Sequence, residues 1–319
     1  MHIVKRLVLA FAFISSSAIA QTYPDKPVKI LVAFSPGSGT DNVARFYAQK
    51  LSVELKQTFF VENRPGANGS IAATLAAKAP ADGYTLFLGS NSTLSAAPFL
   101  FKNLAYDPIR DFAPVARLSD VPSVLVVGAE SSLRTFDDFL VAARAKPGAM
   151  SWAHANTAHL AGGMALAKYA KLDMVAVPYK SSPQGIVDVI SGQVPAMVID
   201  TSAAYSFIQS GKIRALAVTT AKPVASLPGI PTINERFPGV DVYSWLGLVA
   251  PAGTPLEVVR KINAAVIRIN GRDEVKTFLR NSAALDLPPP STPEEFAAFT
   301  KAQLMSWQRM LKDANVEPE

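Results

Sequence analysis

The residues best placed to do chemistry stand between positions 35 and 41. There Ser35-Pro36-Gly37-Ser38-Gly39-Thr40-Asp41 follows the apolar run Val28 to Phe34 and precedes Val43, Tyr47, Leu51 and Leu55 at helical spacing. This is a strand, a glycine turn and a helix start. The first N–H groups of such a helix have no partners inside it, and the summed peptide dipoles make that end positive, so the turn suits an anion. Asp41 is expected to accept N–H bonds at the helix start rather than to touch the anion, because like charges repel.

Other chemistries lack their residues. Gly37 and Gly39 fall short of a dinucleotide fingerprint, since the third required position is Asn42 and Pro36 stiffens the approach. Neither a GxxxxGKS/T phosphate loop nor a GxSxG elbow occurs. The absence of cysteine removes disulfides, thiol nucleophiles and sulfur-ligated metals together. His154 and His159 do not share a helix face, and no acidic residue stands at a zinc-site spacing from them, so neither metal nor cofactor is expected. The carboxylate pairs Asp137-Asp138 and Glu294-Glu295 open helices, where capping and the helix dipole account for them.

Around the turn, strands and helices alternate in the manner of a parallel, doubly wound α/β sheet. Thr58 to Val61 reads as a strand, Glu62 to Gly69 as a loop needing special backbone angles, and Ser70 to Lys78 as a helix capped by Asn68 or Ser70. After the strand Tyr84 to Gly89 come Ser90-Asn91-Ser92-Thr93, polar residues at a strand's carboxyl end, where such sheets bind ligands and where helices are also capped. Asp111 to Leu118 and Ser123 to Val127 read as two strands separated by Asp120-Val121-Pro122. Alternation then restarts with helices from Thr135, Ala158 and Pro183 and strands near Met150, Met174, Val194 and Ile213. A strand Val242 to Ala250 and three helices, from Pro255 with Thr254 as cap, from Asp273 and from Thr292, end the chain. Two α/β halves fit two lobes better than one long sheet.

The first twenty residues read as a secretory leader. Lys5 and Arg6 precede an apolar run, Leu7 to Ile14, and Ala18-Ile19-Ala20 offers a cleavage site after Ala20. The run falls well short of the ~20 residues a membrane span needs. Removing it takes two positive charges from the +6 of the whole chain and leaves +4. So mild and scattered a charge gives nucleic acid no footprint, although it helps gather small anions.

Several runs, in order along nearly the whole mature chain, carry a family likeness. They include Phe34 to Arg45, Glu62-Asn63-Arg64-Pro65-Gly66-Ala67, Asp82-Gly83-Tyr84-Thr85-Leu86, Val177-Pro178-Tyr179-Lys180, Gly211 to Val218 and Ala250-Pro251-Ala252-Gly253-Thr254-Pro255. The chain resembles the periplasmic solute receptors of tripartite tricarboxylate transporters, the Bug or TctC type. That resemblance implies a two-lobed type II periplasmic binding protein, a Venus flytrap with a double crossover near Pro122 and near Ser244-Trp245. Lobe I would hold residues 21–122 and 246–319, and lobe II residues 123–245.

It also implies that one ligand carboxylate is held between two loops, one from each lobe. The first matches Ser35, Gly37, Ser38, Gly39, Thr40 and Asp41; the second matches Ser151 to Leu160, with His154, Asn156, Thr157 and His159. Here Ala153, Ala155 and Asn156 stand where relatives usually carry two glycines and a serine, and each Cβ limits how closely backbone approaches a ligand. Asn156 and Thr157 can still cap and donate. His154 could pair with a carboxylate as a cation, stack as a neutral ring, or be a surface loop residue; His159 could pack or cap. Ser90, Asn91 and Thr93, with Tyr179, Lys180 and Asp200, match cleft-facing positions. Lys180 could equally be a solvated charge, Asp200 would favour a ligand amine or hydroxyl, and Trp245 suits hinge packing as well as stacking.

The expected protein is a monomeric, non-enzymatic periplasmic receptor that captures a small organic acid for the membrane subunits of a transporter. Two alternatives remain at this point: a ligand-sensing input to a membrane signalling protein, and an exported α/β hydrolase or lyase using His154 or His159.

Overall fold

The computed structural model describes residues 23–179, 181–283, 285–313 and Pro318. The leader expected over residues 1–20, and Lys180, lie outside them. In chain order the elements are β1 (Val28–Val32), α1 (Gly39–Leu55), β2 (Phe59–Asn63), α2 (Ser70–Ala77), β3 (Thr85–Ser90), a π-helical turn (Ser92–Ala96) running into α3 (Ala97–Leu100), and β4 (Phe112–Gly128). The middle of the chain adds α4 (Phe136–Ala145), β5 (Met150–His154), α5 (Thr157–Ala170), β6 (Met174–Pro178), α6 (Ser182–Ile190), β7 (Ala196–Asp200), α7 (Thr201–Gln209) and β8 (Ile213–Val218). Then come α8 (Ile233–Arg236), β9 (Tyr243–Pro251), α9 (Leu256–Asn270), α10 (Asp273–Ala283) and α11 (Pro293–Asp313).

The strands lie in the order β2-β1-β3-β9-β4-β7-β5-β6, with β8 also on β4. On one side β1, β2 and β3 run parallel; on the other β5, β6 and β7 do the same. The long strand β4 joins the two groups. Its residues Phe112 to Pro122 pair with β9, and its residues from Ser123 onward pair with β7 and β8. Where two strands separated by Asp120 to Pro122 were expected, the chain forms one strand. Proline lacks the N–H that a central ladder needs, but Pro122 stands where β4 changes partners, and Pro114 borders a register shift, so neither interrupts the strand.

Three smaller expectations are corrected. No side chain caps α2, whose first turn is entered through Gly69 in the left-handed region. Thr254 turns its hydroxyl to the Pro251 carbonyl, and Pro255 takes the cap position of α9. The helices α3, α7 and α8 were not anticipated. All three are short, and α7 follows Asp200 with no side-chain cap.

Each side of β4 has its own core. Alternating strand residues point to opposite faces, so Ile30, Leu86, Leu88 and Leu248 pack with Tyr47 and Ile262, while Leu31, Phe87 and Trp245 pack with Ala73 and Phe296 on the other face. In the second lobe Leu125, Trp152 and Val198 pack with Phe139 and Leu166, and Val126, Met197 and Ile199 with Ile186 and Ala204. A fifth cluster spans both sides: Trp307 and Leu311 of α11 meet Ala96, Ala158, Ala161 and Val242.

The crossing strands carry a half-buried ion pair. Arg117 bonds Asp120 and donates to the Tyr243 hydroxyl at 3.3 Å, with its guanidinium 4.0 Å from the centre of the Phe299 ring. Burial raises the Asp120 carboxyl from 3.8 to about 6 despite the Arg117 charge. An acid raised in the folded state loses stability as it ionises, so this group costs stability progressively between about pH 4 and about pH 6, and by a constant amount above. D120N is expected to remove that slope from urea denaturation midpoints measured across the range. An unchanged profile would mean that Asp120 does not titrate there.

Candidate functional site

The turn between β1 and α1 is held by its own acid. Asp41 accepts from the Gly37 N–H at 2.8 Å, from Arg45 Nε at 2.9 Å and from Asn63 Nδ2 at 2.8 Å, and it is 1% exposed. Burial alone would raise its pKa, yet the bonds from Arg45, Gly37 and Asn63, with the Arg45 charge, outweigh burial and hold it below the usual carboxylate value. Ser38 caps α1 by accepting the Asp41 N–H at 3.2 Å. That leaves Gly39 and Thr40, the first two residues of the helix, with N–H groups that no atom of the described residues accepts. Gly37 differs, because its N–H is already bonded.

A second helix start repeats the pattern. Asn156 caps α5 by accepting the His159 N–H at 2.9 Å, which leaves Thr157 and Ala158 with the free N–H groups. His159 is fully buried and ties this turn to the end of β7. Its Nε2 accepts the Asp200 N–H at 2.9 Å and lies 3.1 Å from Asp200 Oδ2 and from Asn156 Nδ2, while its Nδ1 faces the Ala155 N–H at 3.4 Å. Asn156 therefore serves as the cap. Ala153 lies buried in β5, away from the cleft wall.

Both helix starts open on one cleft of about 730 Å³, reached by the carboxyl ends of strands from both lobes. Of the expected site residues, Gly39, Thr40, Ser90 and Asn91 line it from the first lobe, and His154, Asn156, Thr157, Tyr179 and Asp200 from the second. Ser35, Gly37, Ser38, Asp41, Thr93 and His159 do not line it; the last three of these stand behind the wall and fix its shape. Thr93, for example, accepts the Ser90 N–H at 3.0 Å and donates back to the Ser90 carbonyl at 3.2 Å. Lys180 lies outside the described residues. Trp245 is buried against Phe296 and Phe299, at ring-centre distances of 5.7 and 5.4 Å, and does not face the cleft.

Three described cleft-lining side chains can change charge. Tyr179 donates its hydroxyl to Asp188 at 2.7 Å, and that bond, with burial and the Asp188 charge, pushes its pKa up to about 12, so the phenol is neutral. Asp200 accepts from Asn156 Nδ2 at 3.4 Å through its Oδ2. His154 stands at the end of β5 with its ring 5.5 Å from that of Trp152, and burial, with His159 nearby, lowers its pKa below 6.5. No lysine or arginine is among the described residues of the wall.

Sequence reasoning missed Asn68, Ser202 and Ser244, all on the wall, while Ser92 lines it beside Ser90 and Asn91 as the strand end suggested. Asn68 could have been found: it adopts φ 48° between Gly66 and Gly69, and a loop so constrained beside a strand end is a binding candidate. Ser202 follows a strand end in a helix that went unanticipated, and Ser244 reaches the cleft only through the pairing of β9 with β4.

Known proteins share this architecture. The sequence model described as "Tripartite tricarboxylate transporter family receptor" matches residues 43–316. A Pseudomonas sp. (strain P51) protein, "UPF0065 protein in tcbD-tcbE intergenic region", is 34% identical over 95% of this chain and 91% of its own. Among solved structures, "R. palustris Rpa4515 with adipate" superposes with a TM-score of 0.81 at 31% identity, over 93% of this chain and 100% of that one. Rhodopseudomonas palustris MatC with bound malate gives 0.75 at 31% identity, over 91% and 100%. The two-lobed fold and the family expected from the sequence are therefore both found, and the chain belongs to the tripartite tricarboxylate transporter receptors.

Proposed function

We propose that this receptor holds one carboxylate of a small organic acid between the starts of α1 and α5. The observation that carries this is the pairing of two equivalent helix starts on one cleft, each with a side-chain cap on its third N–H and its first two N–H groups free. Four such donors, two positive helix ends and a site from which closure excludes water favour an anion before any side-chain charge is counted. Capture at micromolar concentration needs only about 8 kcal/mol in total, within reach of such contacts.

Closure would follow the crossing strands, with residues 21–122 and 246–319 as one lobe and 123–245 as the other. The N–H groups of Gly39, Thr40, Thr157 and Ala158 would grip the carboxylate, with Ser90, Asn91, Asn156, Tyr179, Asp200 and Lys180 along the rest of the ligand. The receptor works as a monomer exported by cleavage after Ala20, and it releases its ligand unchanged to the membrane subunits of its transporter.

A thermal-shift screen tests this. Adipate and malate, held by the solved relatives, head a panel of aliphatic, amino and aromatic carboxylates set beside neutral analogues. A ligand at a hundred times its Kd stabilises by about 2.7 kcal/mol, a rise of several degrees in Tm. If neutral compounds raise Tm and no carboxylate does, the anion trap is wrong.

A further inference from the structure

We propose that His154 is the charge partner of the bound acid and takes up a proton as the acid enters, so that capture is linked to pH. This rests on the carboxylate reading above and names the group that answers its charge.

An anion entering this cleft meets an unbalanced wall. Among the described side chains that line it, Asp200 is already an acceptor, Tyr179 has its proton committed to Asp188, and none is lysine or arginine. Helix ends supply about half a charge each at best. His154 is the one described cleft-lining side chain that can become a cation. It sits at the carboxyl end of β5, next to the α5 turn that holds the free N–H groups of Thr157 and Ala158, and the Tyr179 N–H donates to its carbonyl at 2.8 Å. An acid held at that turn is therefore within the same corner of the cleft as the imidazole.

The groups around His154 decide the direction. Trp152 on its own strand is uncharged. His159 of α5 opposes a charge on it, Asp200 at the end of β7 lies against His159, and Tyr179 and Asp188 pair with each other beyond β6. Across the cleft Asn68, Ser90 and Asn91 carry no charge. Without ligand, burial therefore keeps the ring neutral at pH 7. A ligand carboxylate reverses the balance, because an opposite charge in a water-poor site favours the protonated form. Binding then draws a proton from solution, and by linkage a lower pH strengthens binding.

Isothermal titration of the whole receptor with adipate and with malate, at about pH 7 in phosphate and in Tris, reads the proton count directly, because the two buffers differ in ionisation enthalpy. The expected result is uptake of up to one proton, and a Kd that tightens up to about tenfold for each unit the pH falls from about 8 toward 6.5. H154N should bind more weakly, with neither the uptake nor the slope. Lys180 is the rival, since a lysine already charged at pH 7 would answer the acid without taking a proton. Tight binding with no uptake, lost in K180M, overturns the assignment to His154 and leaves the receptor reading standing. So does an uptake that survives in H154N. Failure of every carboxylate in the panel to bind would sink both proposals.

Discussion

A receptor carrying His159→Leu is expected to lose most of its affinity for the acid while remaining folded. The residue touches no cleft space, yet its ring joins three pieces of the second jaw: the Asp200 N–H, the Asn156 amide and the Ala155 N–H. Leucine fills the volume but cannot accept the Asp200 N–H as the imidazole Nε2 does. The Asp200 N–H is then left in a site from which water is excluded, at a cost of about 1–3 kcal/mol. Stability falls by that amount, but the larger change is in geometry. Asn156 loses a neighbour that fixes its side chain, and the cap that aims the free N–H groups of Thr157 and Ala158 loosens. Losing about 1.5–3 kcal/mol of orientation and contact corresponds to a Kd roughly 10- to 100-fold weaker. Calorimetric titration gives the Kd and a thermal melt gives the stability, which separates misplacement from unfolding. A variant that melts early but binds the acid as tightly as the parent would show that His159 only fills space.

The second large effect is predicted for Gly163. A Cβ built there falls 2.2 to 2.4 Å from three carbons of the Trp152 ring, which is fully buried and has no free end to swing away. Gly163→Ala should therefore destabilise by about 3 kcal/mol, at the upper end of what overpacking usually costs. Trp152→Ala should cost about 3–5 kcal/mol by leaving a cavity. The two positions share one space, so their effects cannot add. In Trp152→Phe the ring is smaller, and the added methyl of Gly163→Ala should then be tolerated or even stabilising. Urea midpoints of the four proteins give the coupling. If the two substitutions were simply additive, Gly163 would not be small on account of Trp152. Because the Trp152 ring lies beside His154, the same set should also change the pH dependence of binding.

Much of the first jaw was legible because it is local. Asp41 was expected to accept N–H bonds at the helix start rather than to touch the ligand, and it accepts that of Gly37 at 2.8 Å. The helix boundaries around Thr135 and Thr292 were legible for the same reason: both show reciprocal bonds between the threonine and an acid three residues on. What stayed hidden depends on partners far along the chain. Asp120 to Pro122 looked like a break because proline lacks an N–H, and only the exchange of β9 for β7 at that point explains why none is needed. His159 could be read as packing or capping, but its bond to Asp200, forty-one residues later, has no local signature. Asn68 and Ser244 reach the cleft through a left-handed turn and a crossing strand, neither of which a hydrophobic period reveals.

The position of β9 has a consequence in time. It is the last strand made, yet it lies in the middle of the sheet, between β3 and β4. After β3 ends at Ser90, synthesis must continue to Pro251 before that sheet can close, an interval of about 10–30 s at ordinary bacterial rates. Through that interval β3 has an open edge where its central partner belongs. The nascent chain thus stays without its finished first lobe until nearly all of it has emerged. For a family whose members act in the periplasm, a chain that is slow to close is one that can still be threaded.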